Sequence, residues 1–221
     1  MLLYAITDRG LLPASGAGNE PERRAALVSL TRTWAKNNID YIQVREKDLE
    51  PAVLFTLTQQ IVSAVRAINQ HTRVLLNGPV EIALEANADG IHLPAGSPLS
   101  TAANARALFA SAGRDAVISH SCHTREEVLK AREESQRNPY ATIDNTLILY
   151  APVFEKTIHG ETLLPGQGLE SLRAAVEAAQ NIPVLALGGI TPANAPACLA
   201  AGAAGIAAIR LFLHNDWLSL K

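Results

Sequence analysis

The chain has 221 residues, 48% of them hydrophobic and 18% charged, and a net charge of −2. That balance suits a well-buried core rather than disorder, and without a long basic block it speaks against nucleic-acid binding. The two cysteines, Cys122 and Cys198, are too few for a disulfide framework or a cysteine-based zinc site.

Leu2–Thr7 reads as a first buried strand, ended by Asp8-Arg9-Gly10 and a Gly-, Pro- and Asn-rich loop. A helix is predicted from Pro21, with Leu27, Leu30 and Trp34 at helical spacing, to just before Asn37-Asn38. Tyr41–Arg45 is the second strand, running into Glu46-Lys47-Asp48, and a helix follows from about Pro51 to Asn69. Arg73–Asn77 is the third strand, with Gly78-Pro79 and a short helix through Glu85 behind it. The fourth is brief, Gly90–Leu93, and after a Pro- and Gly-rich loop Ser100 is positioned to cap a helix through Phe109. Asp115–Ser119 reads as the fifth strand. Thr124 and Glu127 have capping-box spacing, so a helix should run from there to about Ser135. Thr146–Tyr150 is the sixth strand, followed by a long polar loop, Pro152 to Gly168, and a helix from about Leu169 to Gln180. Pro183–Leu187 and Gly205–Ile209 are the seventh and eighth, joined by Gly188-Gly189 and by a helix that Thr191 and Pro192 would open and Gly202 would close. Phe212 to Leu220 suggests a short closing helix.

Eight strand–helix units at about 28 residues each imply a parallel sheet, and eight such units favour a closed (β/α)8 barrel over an open doubly wound one. The expected fold class is therefore α/β, a single TIM barrel over residues 1–221. No G-x-G-x-x-G follows the first strand and no P-loop occurs, so dinucleotide and NTP folds lose their usual signatures. Asp8 and Arg9 interrupt the first apolar run, which argues against a signal peptide, and no window holds the roughly 18 unbroken apolar residues of a membrane span. The expectation is a cytoplasmic protein with free thiols and no membrane partner, compatible with a homo-oligomer.

Barrel chemistry sits at strand C-termini. The polar residues there are Thr7-Asp8, Arg45 and Lys47, Asn77, His92, Ser119 to His123, Lys156 to His159, Gly188-Gly189 and Arg210. Arg45 and Lys47 suit an anionic substrate group, the alternative being a solvated salt-bridge cluster with Glu46 and Asp48. His123 precedes a predicted helix N-terminus, whose dipole favours a neutral imidazole; it is the best general acid/base candidate, against a cap-side structural histidine. His92, inside an apolar strand, reads better as a hydrogen-bonded core residue. Bare glycines at 188 and 189 suit either a tight turn or a phosphate cup, since loops after the seventh and eighth barrel strands commonly hold phosphate. No His, Asp and Glu set has metal-ligand spacing.

Seven stretches in order then resemble the thiamine phosphate synthase/TenI superfamily. They are Tyr4–Asp8, Gln43–Asp48, Leu76–Gly78, Ala88–Leu93, Cys122–Thr124, Ala151–Phe154 and Leu187–Ile190. The resemblance implies a phosphate-binding (β/α)8 barrel acting in thiamine biosynthesis on a phosphorylated thiazole. Gln43, Arg45, Lys47, Asn77 and Gly168 would face substrate, and Gly188, Gly189, Ile209 and Arg210 the phosphate. The synthases of this family join a pyrimidine pyrophosphate to a thiazole phosphate with Mg2+. Their pattern has an Asp after the third-strand Asn and an acidic residue shortly after the fourth strand. Here those places read Asn77-Gly78-Pro79 and Leu93-Pro94-Ala95-Gly96-Ser97, so the hard cation would lack both carboxylates. The sequence is closer to the TenI-like branch, whose activity is the aromatisation of a thiazole carboxylate phosphate with a His at the position of His123. The leading expectation is thus a thiazole tautomerase, an isomerase with catalytic His123 and no metal or other cofactor. The alternatives are a synthase using Mg2+, and a non-catalytic thiazole-phosphate-binding or regulatory barrel. Arg210 stands where the family usually carries a small residue, and would either add a phosphate contact or fill the cup.

Overall fold

The computed structural model describes residues 1–12, 19–142, 145–158 and 161–220. Eight parallel strands close on themselves: β1 (Leu2–Ile6), β2 (Tyr41–Val44), β3 (Arg73–Leu76), β4 (Gly90–Leu93), β5 (Val117–Cys122), β6 (Thr146–Tyr150), then β9 (Val184–Leu187) and β10 (Gly205–Ala208), which pairs with β1. The expected (β/α)8 barrel is what forms. Between β6 and β9 lies an antiparallel hairpin outside the barrel sheet, β7 (Lys156–Ile158) with β8 (Glu161–Leu164). It replaces much of the expected loop; Lys-Thr-Ile and Glu-Thr-Leu-Leu flank a His-Gly pair, and the turn signal without longer alternation is easily read as loop. His159 and Gly160 lie outside the described residues.

Alternation sorts the strands into two cores. Tyr4, Ile6, Leu75, Val117, Leu147, Leu149, Leu185 and Ala207 pack together inside the barrel. Their neighbours, among them Ala5, Ile42, Val74, Leu76, Ile118, Ile148 and Ile206, join the larger core with the helices. The helices are α1 (Glu20–Lys36), α2 (Pro51–Arg66), α3 (Val80–Glu85), α4 (Leu99–Ser111), α5 (Arg125–Arg137), α6 (Gly168–Ala179), α7 (Ala195–Ala200) and α8 (Arg210–Leu213). In α2, Leu54, Leu57, Thr58, Ile61, Val62 and Val65 recur at three- and four-residue spacing, and all are buried. Among the described residues no helix is long and apolar enough to cross a membrane.

Helix ends bear out some expectations and correct others. The Thr124–Glu127 capping box is complete in both directions. Ser100 does not cap α4, which begins at Leu99 behind Pro98. Thr191 and Pro192 do not open a helix: Thr191 and Asn194 bond each other's backbone amides in a turn, and α7 starts after it with Pro196 in its first turn. The closing segment splits into α8 and a 3-10 turn, Asp216–Leu220, at Asn215, whose φ is +61°. Phe212 stacks on Trp217 and meets Trp34 of α1 edge-on, centroids 5.9 and 6.1 Å away, which seals the seam between β10 and β1 from outside.

Two strand-opening glycines let that barrel close. A Cβ on Gly90 would lie 1.8 Å from the Val117 carbonyl oxygen, and one on Gly205 would lie 2.0 Å from that of Leu2. Gly205→Ala is expected to cost about 3 kcal/mol in urea unfolding, or to abolish soluble protein, because neighbouring backbone cannot yield. Gly113→Ala, at φ +70° with open space around it, should cost only about 1 kcal/mol.

Candidate active site at the barrel mouth

Strand alternation decides which side chains reach the C-terminal mouth. In β2 and its extension the inward set is Gln43, Arg45 and Lys47; in β5 it is Ser119, Ser121 and His123. The fifth strand runs three residues further than expected, through Cys122, so His123 follows directly on its end.

The acidic residues interleaved with Arg45 and Lys47 point the other way. The Arg9 guanidinium forks onto Asp48, Nη1 to Oδ1 at 2.8 Å and Nη2 to Oδ2 at 2.6 Å. It also donates to Glu46 Oε2 at 2.8 Å and to Glu20 Oε1 at 2.6 Å. Glu46, buried, takes the Thr7 hydroxyl at 2.6 Å and the Arg9 amide as well. The clamp holds Asp48 below the usual carboxylate range, chiefly through the hydrogen bonds from Arg9. Its three carboxylates are thus committed to Arg9, and neither Arg45 nor Lys47 has an ion pair among the described residues. The expected alternative, a cluster of these cations with Glu46 and Asp48, is not what forms.

His123 is exposed and anchored twice. Its amide donates to Glu127 Oε2 at 2.5 Å, and its Nδ1 lies 2.6 Å from the Ala151 carbonyl oxygen. A carbonyl only accepts, so Nδ1 carries the proton and, in the neutral ring, the lone pair is on Nε2. The same oxygen accepts from Gln167 Nε2 at 2.9 Å, and Gln167 Oε1 accepts from the Tyr150 hydroxyl at 2.8 Å. Orientation of the imidazole is fixed from strand β6 and the loop before α6.

Below the mouth a line of polar groups crosses the barrel interior. The Tyr4 hydroxyl donates to Gln43 Oε1 at 3.1 Å and lies 2.8 Å from Ser119 Oγ. Ser119 Oγ is 2.8 Å from His92 Nδ1, and His92 Nε2 is 3.1 Å from Ser121 Oγ. His92 is thus the hydrogen-bonded core residue its apolar strand suggests. Burial first, then the charges of His120, Arg45 and Lys47, push it down to about 3, so it is neutral at pH 7. Gln43, expected to face substrate, is 1% exposed and bonded to Tyr4.

The remaining candidates lie around the rim. Asn77 and Gly78 are half-buried at the end of β3. Gly168 has φ +81° and its amide donates to the Val153 carbonyl, so it contributes a left-handed turn opening α6. Gly188 and Gly189 have φ +95° and +64°; a Cβ on either would strike Pro152, Phe154 or Glu155 at 2.7–2.8 Å. Their carbonyls are engaged by the Phe154 amide and the Asn194 side chain, and their amides have no partner among the described residues. Ile209 packs on the barrel interior, while Arg210 is exposed at the first position of α8.

A hard cation does not fit this donor set. Asn77, Gly78 and Pro79 bring no carboxylate, those of Glu46 and Asp48 are held by Arg9, and among the described residues no three His, Cys, Asp or Glu side chains gather as a metal site. Reading the sequence gave no role to Tyr4 or Gln167, and named Ser121 only within the polar run Ser119 to His123. For the serine the signal was there, Ser-x-Ser-x-His on one strand face; for Tyr4, within an apolar run, and Gln167, within a polar loop, no local pattern distinguishes them.

Residues 3–212 match the family described as thiamine monophosphate synthase. A putative thiamine-phosphate synthase of Geobacter sulfurreducens is 36% identical over 218 residues, covering 96% of this chain and 87% of the relative. A thiamine-phosphate synthase of Caldanaerobacter subterraneus subsp. tengcongensis is 29% identical over 217 residues, covering 97% and 87%. The solved thiamine phosphate pyrophosphorylase from Pyrococcus furiosus superposes with a TM-score of 0.71 at 26% identity, covering 97% of this chain and 89% of that one.

The clamp yields a stability test. Arg9→Met leaves Glu46 buried beside no cation and should cost about 3 kcal/mol in denaturant unfolding at pH 7. Asp48 is depressed in the fold, so its share is present above the usual carboxylate range and is lost as pH falls through its lowered value. Wild type should therefore lose more stability than Arg9→Met on acidification, as paired urea melts at pH 7 and pH 3 would read.

Proposed function

The chain belongs to the thiamine monophosphate synthase family of thiamine-biosynthesis enzymes, and on that premise we propose that it aromatises a thiazole carboxylate phosphate by moving a single proton, with no metal ion. One observation carries this reading: the His123 Nδ1–H is tied to the Ala151 carbonyl, which leaves the lone pair of the neutral ring on Nε2 of an exposed side chain at the end of β5. Nε2 takes a proton from a ring carbon, and the imidazolium returns it elsewhere on the same molecule as the ring becomes aromatic. The product is an isomer and nothing else is consumed. Arg45 and Lys47, without carboxylate partners, bind the substrate carboxylate and stabilise charge as the proton leaves. The amides of Gly188 and Gly189, without partners among the described residues, receive the phosphate, with Ile209 and Arg210 beside them at the end of the neighbouring strand β10.

A second reading is thiamine phosphate synthase, the joining of a pyrimidine pyrophosphate to a thiazole phosphate with Mg2+. The names of the relatives favour it over the first, and so does the retained stretch Gln43–Asp48. The carboxylate-poor mouth opposes it.

Two assays of the purified protein separate these readings. With the non-aromatic thiazole carboxylate phosphate, ultraviolet absorbance should show turnover that a chelator does not change, and His123→Gln should lower it about 100-fold or more. Undiminished activity in His123→Gln sinks the tautomerase. Thiamine phosphate formed from both half-substrates only with Mg2+ establishes the synthase instead, and tight binding without either turnover would identify a non-catalytic barrel.

A further inference from the structure

The sheet stops just short of the mouth cations. Strand β2 ends at Val44, whose carbonyl accepts from the Asn77 amide at 2.9 Å. On the β1 side the Thr7 amide donates to the Gln43 carbonyl, also at 2.9 Å. In a regular parallel ladder the Thr7 carbonyl would next accept from the Arg45 amide. Instead that amide donates to the Thr7 hydroxyl oxygen, at 2.9 Å. The hydroxyl proton goes in turn to Glu46 Oε1, at 2.6 Å. One side chain thus holds two consecutive residues of the segment that the sheet has released. Glu46 also takes the Arg9 amide, 3.2 Å from each carboxylate oxygen, and Arg9 Nη1 at 2.8 Å. Thr7 is 0% exposed and Glu46 3%, so water does not stand in for a lost bond.

We propose that Thr7 is a positioning residue, which aims Arg45 and Lys47 by fixing the residue between them. Alternation along a strand is normally enforced by main-chain rungs. From Arg45 onward it is enforced by the Thr7 hydroxyl and the anchored Glu46 carboxylate. With Glu46 held on the Arg9 side, the residues before and after it turn to the mouth. Neither cation needs an ion pair of its own to be placed there, and neither has one among the described residues. Thr7 itself touches no ligand and acts only through the Arg45 main chain and the Glu46 side chain. A methyl in place of the hydroxyl takes an acceptor from one and a donor from the other. The segment is then free to twist without the loss of any sheet rung.

This rests on the reading of Arg45 and Lys47 as the anion-binding pair, but the positioning can be measured without turnover. In ligand-free 15N-labelled protein, Thr7→Val should speed amide hydrogen exchange at Arg45 about tenfold or more. The Ile148 and Ala204 amides, bonded to Pro183 and Val184 in the barrel, should keep their wild-type rates. A general loss of stability would instead speed all three together. Thr7→Ser, which keeps the hydroxyl, should return Arg45 to near its wild-type rate. Thr7→Ala makes the same comparison if the valine variant proves insoluble. Unchanged exchange at Arg45, or a rise shared by Ile148 and Ala204, overturns the proposal. In turnover of the thiazole carboxylate phosphate, Thr7→Val should raise KM about tenfold with a smaller change in kcat, and Thr7→Ser should recover KM. A KM unaltered in Thr7→Val, or raised as far in Thr7→Ser, overturns the link to the cations. If wild type shows no turnover at all, the tautomerase reading fails while the exchange rates still decide what holds the segment.

Discussion

A closed sheet has an inside and an outside and no edge, so each of the eight strands divides its residues strictly between two environments. Everything at the mouth follows from that division. In β2 it sends Gln43, Arg45 and Lys47 one way and Glu46 and Asp48 the other; in β5 it sends Ser119, Ser121 and His123 inward while His120 and Cys122 turn to the helix layer. His120 there is pushed down to about 4 and the Cys122 thiol up to about 12, both mainly by burial, which keeps them uncharged. Two histidines three residues apart thus have opposite fates, one sealed and neutral, one at the rim with an aimed lone pair.

Charge separation is the second consequence. Arg9 gathers three carboxylates onto the outer side of β1 and β2, so the local net charge of the loop after β2 says little about the field inside the mouth. Counting Arg45, Glu46, Lys47 and Asp48 gives zero, yet the two cations have no ion pair among the described residues and the two anions are clamped. Arg9 thus draws negative charge away from these cations, and no further positive charge is added.

Much of this was legible from the residues. The eight apolar runs, the Thr124–Glu127 box and the strand-end cations all survive folding. What was not legible involves contacts distant in sequence. Nothing local in Asp8-Arg9-Gly10 announces that Arg9 will meet Asp48, 39 residues away. Tyr4 reaches Ser119 across 115 residues, and only barrel closure makes them neighbours. The end of β5 was misjudged because His120-Ser121-Cys122-His123 is polar enough to look like a loop, although its alternation is that of a strand with a polar interior face.

Gly188 and Gly189 have a bearing on how such a protein can change over generations. Barrel loops are usually separable cassettes, each free to vary on its own scaffold strand. Here the space above both glycines is filled by backbone of Pro152 to Glu155, and the amides and carbonyls of the two segments interlock. The Gly188-Gly189 loop and the loop that positions the His123 imidazole through Ala151 are welded into one body. A lineage, or an engineer, that alters one must alter the other in step, so the shape of the glycine turn and the placement of the His123 imidazole are inherited together.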